Sequence, residues 1–132
     1  MIDHIGMTVG NLAGATEFFL KALGPLGYGL VMEVSAEETG AGAAVGFGAS
    51  GKPSFWIGEG DGMRASAPVH VAFVAPSREA VDAFYRAALA AGGKDNGPPG
   101  LRPHYHANYY AAFVLDFDGN NIAAVCHAPA LK

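Results

Sequence analysis

The stretch Phe-Phe-Leu-Lys-Ala-Leu-Gly-Pro-Leu-Gly, residues 18–27, returns 66 residues later as Phe-Tyr-Arg-Ala-Ala-Leu-Ala-Ala-Gly-Gly, residues 84–93. The same spacing relates two further pairs, His4-Ile5 with His70-Val71 and Phe47 with Phe113. Because this spacing is half of the 132-residue chain, the simplest explanation is a unit that was duplicated, and such a repeat governs the whole fold. We therefore predict one domain, residues 1–132, made of two repeats at about 1–66 and 67–132.

Each repeat has the pattern of a strand, a helix and then three strands. Apolar residues recur every three or four positions from Leu12 to Leu26 and again from Val81 to Leu89, as on one face of a helix. The runs typical of strands are 2–9, 28–34, 42–48, 54–58, 69–75, 109–116 and 121–127. The prolines and glycines of 96–103 predict a loop or an irregular edge there. The sequence thus predicts an α+β fold in which two paired βαβββ modules form a curved mixed sheet around a cleft, a suitable place for a small ligand.

The composition is that of a globular chain, with 51% hydrophobic and 15% charged residues. A net charge of −4 without a basic patch argues against nucleic acid as a partner. No apolar run reaches the roughly 18 residues of a membrane span, and the first residues do not read as a secretory signal. The single cysteine, Cys126, cannot form an internal disulfide. We expect a cytoplasmic protein without membrane partners.

Three phrases occur in a fixed order along the chain: Ile-Asp-His-Ile at 2–5, Tyr-His followed by Asn-Tyr-Tyr-Ala-Ala-Phe within 105–113, and Asp-Phe-Asp-Gly-Asn-Asn-Ile at 116–122. With the internal repeat, they give the chain an end-to-end resemblance to the vicinal oxygen chelate superfamily. This superfamily contains glyoxalase I, bleomycin-resistance proteins and extradiol dioxygenases, and the chain is similar to its bacterial glyoxalase-like branch. The resemblance implies the paired βαβββ fold and a small-molecule ligand or substrate.

The resemblance also implies positions for a divalent metal ion, one in the first and one in the last strand of each half. The first-strand positions are His4 and His70, which are therefore candidate metal ligands. The last strand of the second half has Ala123 where the family pattern has Glu, and the matching strand of the first half, 55–57, offers neither carboxylate nor imidazole. A catalytic divalent ion normally takes about three protein ligands. We therefore expect the full family metal site to be incomplete, with His4 and His70 as hydrogen-bonded residues of a cavity.

Other polar and aromatic residues are candidates for a ligand pocket. His104 and His106 are two residues apart, so in an extended chain they would point to the same side. They could rebuild a metal site with His4 and His70, or line a polar pocket. Our candidates for ligand binding are Trp56, Arg102, His106 and Tyr109.

The sequence also contains a phosphate-loop-like stretch, Gly46 to Lys52. A phosphate loop needs a helix after it, whereas here Pro53 and a β-rich run follow. A turn between two strands explains these glycines better.

Two functions remain in competition. The favoured hypothesis is a protein similar to bleomycin-resistance members, which binds a small molecule in the cleft between its sheets, with no cofactor certain. The alternative is a metal-dependent lyase or isomerase of the glyoxalase I type with altered ligands, for which a divalent metal is the candidate cofactor. The exposed strand edges and the large apolar share predict a homodimer in either case.

Overall fold

In a computed structural model, residues 2–40, 42–59 and 68–130 are described. The first module consists of β1 (Ile5–Thr8), α1 (Leu12–Leu23) with a 3-10 turn at Gly24–Leu26, β2 (Gly29–Val34), a short α2 (Ala36–Thr39), β3 (Ala44–Ala49) and β4 (Lys52–Gly58). Its strands lie in the order β1-β4-β3-β2, with β1 parallel to β4 and the other pairs antiparallel. The sequence did not lead us to expect α2, which a capping box between Ser35 and Glu38 stabilises.

The second module repeats this plan with β5 (His70–Val74), α3 (Arg78–Ala90), β6 (Lys94–Asp95), β7 (Gly100–Leu101), β8 (Tyr110–Leu115) and β9 (Asn121–Cys126). Its strand order is β5-β9-β8-β6, and β7 also pairs with β8. The predicted α+β fold of two βαβββ modules is confirmed, with the strands divided between a four-stranded and a five-stranded sheet. The predicted boundary near residue 66 lies outside the described residues, so the division of the domain there stays a prediction.

Both long helices begin where a polar side chain can cap them. The Asn11 side chain accepts a hydrogen bond from Gly14 N, and Ser77 does the same for Ala80 N. Gly24-Pro25 follows α1, and Gly92 follows α3 with a positive φ of 105°. No helix in the described parts of the chain is long and apolar enough to cross a membrane.

One hydrophobic core joins the two modules within the chain. The helix residues that it buries are Ala15, Phe18, Phe19, Ala22, Leu23, Val81, Phe84 and Ala88. The Phe55 ring of β4 packs edge-on against the Phe73 ring of β5, with centroids 5.1 Å apart. We call the face of each sheet that packs on this core the inner face, and the opposite one the outer face. Because side chains alternate along a strand, residues next to a core residue project from the outer face.

The glycine-rich stretch from Gly46 to Lys52 forms a hairpin. Strands β3 and β4 are joined by Ser50 and Gly51, whose φ angles are 55° and 76°. Two consecutive positive φ angles are what a tight two-residue hairpin requires. The phosphate-loop spacing therefore reflects a turn between strands.

The outer faces of the two sheets differ in how they are covered. On the second sheet, Ala111, Ala123 and Val125 are buried in a small cluster of their own, together with Phe113 and Tyr109. Segment 96–103, predicted as a loop or irregular edge, runs along β8 and contributes β7 to this edge. On the first sheet the outer face instead carries an open groove.

Candidate functional site

Trp56 forms the aromatic floor of a groove of about 600 Å³ on the outer face of the first sheet. It lies between Gly6 of β1 and Gly46 of β3 in the strand register. The indole lies directly against Gly46, because a Cβ there would come within 3.0 Å of the ring atom Cζ2 of Trp56. Glycine at position 46 is thus what allows the ring to lie along the sheet.

His4 lies in the same groove and is held by its neighbour. Its Nδ1 is 2.7 Å from Oδ1 of Asp3, and this oxygen also accepts a hydrogen bond from Lys52 Nζ at 3.1 Å. The hydrogen bond from His4, and then the ammonium of Lys52, lower the pKa of the Asp3 carboxyl group. Asp3 is therefore an ionised acceptor, and His4 Nδ1 carries the hydrogen of the shared bond.

His70 is held in a similar way on the second sheet. Its Nδ1 lies 2.9 Å from the backbone oxygen of Asn121, its partner in the register of β5 and β9. Its ring lies 6.2 Å from that of Phe113. Asn121 Oδ1 is buried and has no hydrogen-bond partner in the described structure. A second groove, of about 530 Å³, runs between the free edges of β1 and β5, and Asp3 and His70 both line it.

Arg102 is engaged with its own segment of the chain. Its guanidinium donates to the backbone oxygens of Gly100 and Pro98, both at 2.8 Å, and stands 5.5 Å above the Phe113 ring. These contacts close segment 97–102 over the outer face of the second sheet. The structure thus gives Arg102 a role in holding this loop, in addition to the ligand contact predicted from the sequence.

His106 and Tyr109 come together with His127, the exposed residue that follows β9. The His127 ring lies 5.6 Å from that of His106 and 5.3 Å from that of Tyr109. Residues 103–105 form a turn instead of an extended strand, so His104 does not point to the same side as His106. The His104 ring instead lies beside the Tyr105 ring, with centroids 4.2 Å apart. The expected common orientation of His104 and His106 depended on an extended chain, which the structure does not have.

The candidate residues are therefore divided between two places. Trp56 and His4 share the groove of the first sheet. Arg102, His106, Tyr109 and His70 lie on the second sheet or on the segment that covers it.

The sequence matches the profile of the Glyoxalase/Bleomycin resistance protein/Dioxygenase superfamily over residues 1–124. The chain belongs to this superfamily. A comparison with curated proteins gave no match.

Solved structures of superfamily proteins resemble the chain over nearly its whole length. A glyoxalase/bleomycin resistance protein from Albidiferax ferrireducens is 30% identical, with a TM-score of 0.76, and the match covers 96% of this chain and 97% of that one. A mutant of glyoxalase I from Zea mays is 21% identical, with a TM-score of 0.73, over 94% of this chain and 46% of that one. A mutant fosfomycin resistance protein from Listeria monocytogenes, in complex with Mn(II) and a dihydroxypropylphosphonic acid, is 20% identical, with a TM-score of 0.64, over 95% of this chain and 88% of that one. The last two likenesses concern the fold.

The strand register identifies which residues occupy the superfamily's last-strand positions. Ala123 lies opposite Ala72, two residues after His70, and Trp56 lies opposite Gly6, two residues after His4. Trp56 is therefore the structural counterpart of Ala123. The constant 66-residue spacing instead pairs Ala123 with Ile57, which faces the core.

The residues at these positions do not fit the superfamily's four-ligand metal site. His4 and His70 each use Nδ1 in a hydrogen bond, which leaves Nε2 as the nitrogen that could bind an ion. Neither indole nor methyl can supply the remaining two ligands. Within residues 2–40, 42–59 and 68–130, no three His, Cys, Asp or Glu side chains come together as a metal site would require.

Proposed function

We propose that this superfamily member binds a flat small molecule in the groove beside Trp56, without a metal ion at the four-ligand site. The observation that supports this most directly is Trp56 itself, which replaces the missing ligand with an aromatic surface. One face of the indole packs on Gly46, so the other is left to the groove. Stacking on an aromatic face and burial of apolar area are the usual sources of affinity in such pockets.

We include the second sheet in this proposal. Arg102, His106 and Tyr109 would contribute polar and aromatic contacts to a ligand that reaches beyond the groove. The contacts of Arg102 with Gly100 and Pro98 fix the segment that carries these residues. We place the protein in the cytoplasm, which is consistent with its single, buried cysteine.

Trp56 is the only tryptophan, so its fluorescence reports directly on the groove. A set of planar aromatic compounds should change the emission on titration, and calorimetry should give the same Kd. Trp56→Leu should weaken binding by about fivefold or more, since stacking is worth about 1 kcal/mol or more. Leu20→Ala, an exposed apolar change on α1 and away from both sheets' outer faces, is the matched control. Equal affinity of Trp56→Leu and wild type would refute the proposal.

We further propose a homodimer that forms along the free edges of β1 and β5. Large apolar side chains flank these edges, and Ile2 and Val74 are 79% and 78% exposed. Unpaired strand edges with apolar flanks are unfavourable in a monomer. Light scattering after gel filtration should give the dimer mass for the wild type. Val74→Lys should shift it to the monomer while Leu20→Lys, on the exposed side of α1, should not, and a monomeric wild type would end this proposal.

The metal-dependent lyase or isomerase remains a second candidate, because both histidines present Nε2. Metal analysis of protein purified without chelator, followed by titration with nickel, zinc, iron(II) and manganese, tests it. Stoichiometric metal that is lost on His4→Ala or His70→Ala would favour this candidate over metal-free binding.

A further inference from the structure

In the Trp56 groove, the donor groups of Lys52 and Thr39 already form hydrogen bonds within the protein. Lys52 carries three donor hydrogens, and its Nζ has three acceptors: Asp3 Oδ1 at 3.1 Å, Asp3 O at 3.2 Å and Pro53 O at 3.2 Å. The Thr39 hydroxyl donates to the Gly42 oxygen at 2.7 Å. The donors of these two side chains are therefore used within the protein.

The acceptor groups of the groove, on Asp3 and His4, each have one atom in a hydrogen bond and one atom without a partner among the described residues. Asp3 receives both of its side-chain hydrogen bonds on Oδ1, so Oδ2 of the ionised carboxylate is left for a ligand. Because His4 Nδ1 carries the hydrogen shared with Asp3, Nε2 is the ring nitrogen that can accept a hydrogen bond from a ligand. Against these two acceptors, the only unengaged donor among the described side chains that line the groove is the indole N–H of Trp56.

We propose that the groove selects planar ligands that carry N–H donors, such as aryl amidines and protonated aromatic amines. The ring of such a ligand stacks on Trp56, and its N–H groups bind Asp3 Oδ2 and His4 Nε2. A positive charge on the ligand is attracted both by the carboxylate and by the face of the indole. This inference deepens the proposed function and rests on it, since it assumes that the groove is the binding site.

Benzamidine and benzoate form a suitable pair of probes, because both are planar and of similar size but have opposite charge and hydrogen-bonding polarity. Trp56 fluorescence and calorimetry should give a Kd for benzamidine about tenfold or more below that for benzoate. Asp3→Asn should raise the Kd for benzamidine about tenfold. Glu17→Gln, which removes the same charge from the exposed side of α1, should leave it within about twofold.

Three results would overturn the inference. Benzoate binding as tightly as benzamidine would reject donor selection while leaving ligand binding at Trp56 intact. Equal effects of Asp3→Asn and Glu17→Gln would show that only the overall charge matters. If neither probe binds, the inference fails, and the wider set of planar compounds decides whether the proposed function fails with it.

Discussion

Gly46 is the residue on which the position of the Trp56 ring depends. A Cβ at this position would lie 2.9 Å from the Pro53 Cβ and 3.0 Å from Trp56 Cζ2. We predict that Gly46→Ala displaces the indole, shifts the fluorescence emission of Trp56 and weakens ligand binding at least about fivefold. Gly29→Ala is the control, since a Cβ there meets nothing within 4 Å. Unchanged emission in Gly46→Ala would contradict the proposed packing.

Asp116 holds the connection between β8 and β9. Its carboxylate is buried and accepts hydrogen bonds from the backbone N of Asp118 and Asn120 and from the Asn120 side chain, at 2.8–3.0 Å. We predict that Asp116→Ala lowers the free energy of unfolding by about 3 kcal/mol, because three donors lose a charged acceptor. Glu37→Ala, at an exposed position on α2, should change it by less than about 0.5 kcal/mol. Urea denaturation of both variants gives the comparison.

A side-chain hydrogen bond links β8 to α3, in addition to their apolar packing. The Tyr110 hydroxyl donates to Asp82 Oδ1 at 2.7 Å, and Arg78 stands over the Tyr110 ring. The hydrogen bond to Asp82, together with burial, raises the pKa of Tyr110. The neutral phenol is thus favoured in the folded state. Its contribution to the free energy of unfolding is fully present below the pKa of about 10 that Tyr110 has in the unfolded chain, and it is lost as the pH rises through the higher pKa of the folded state.

We accordingly predict that Tyr110→Phe lowers the free energy of unfolding by about 1 kcal/mol near pH 7. The difference from the wild type should shrink as the pH rises above about 10, because the wild type then loses its neutral phenol. Denaturation curves over a pH series check this. A difference that stays constant into strong alkali would show that Asp82 and Tyr110 are not coupled.

The sequence predicted the helices and the long strands close to their observed bounds, but it paired the wrong residues in the last strands of the two repeats, and one inserted residue explains this error. The helix caps Asn11 and Ser77 are 66 residues apart, as the repeat predicts, whereas Trp56 and its counterpart Ala123 are 67 apart. A shift of one residue turns a strand side chain to the opposite face. The match of Phe47 with Phe113 is therefore misleading, because Phe47 packs in the core and Phe113 on the outer face.

Once this shift is taken into account, the large and the small residue of the outer face are seen to have exchanged strands between the two modules. The first sheet has a large residue, Trp56, beside a small one, Gly46, while the second has Phe113 beside Ala123. The 66-residue spacing of the repeat does not show this exchange, whereas the register of the paired strands does. The candidate residues could be chosen by chemical type, but their separation onto two sheets could not be read from one sequence.

At the scale of the whole molecule, the two modules share their core and should unfold together. The Phe73 ring of the second module contacts Tyr28 and Phe55 of the first, at 5.5 Å and 5.1 Å. We predict that Phe73→Ala lowers the free energy of unfolding by about 3–4 kcal/mol and that calorimetry still shows one transition. Leu20→Ala, on the exposed side of α1, should cost less than about 1 kcal/mol. Two separate transitions in the wild type would show that the modules are independent.

The contact of Phe18 with Phe117, at 5.3 Å, joins residues from opposite ends of the chain. A hydrogen bond from Gly10 N to Asp118 at 3.1 Å lies in the same region. During synthesis, the apolar side of α1 leaves the ribosome long before the residues that finally cover it. The part of α1 around Phe18 therefore stays uncovered until the second module has been made, and a chaperone that protects nascent apolar surface would act on it during this interval.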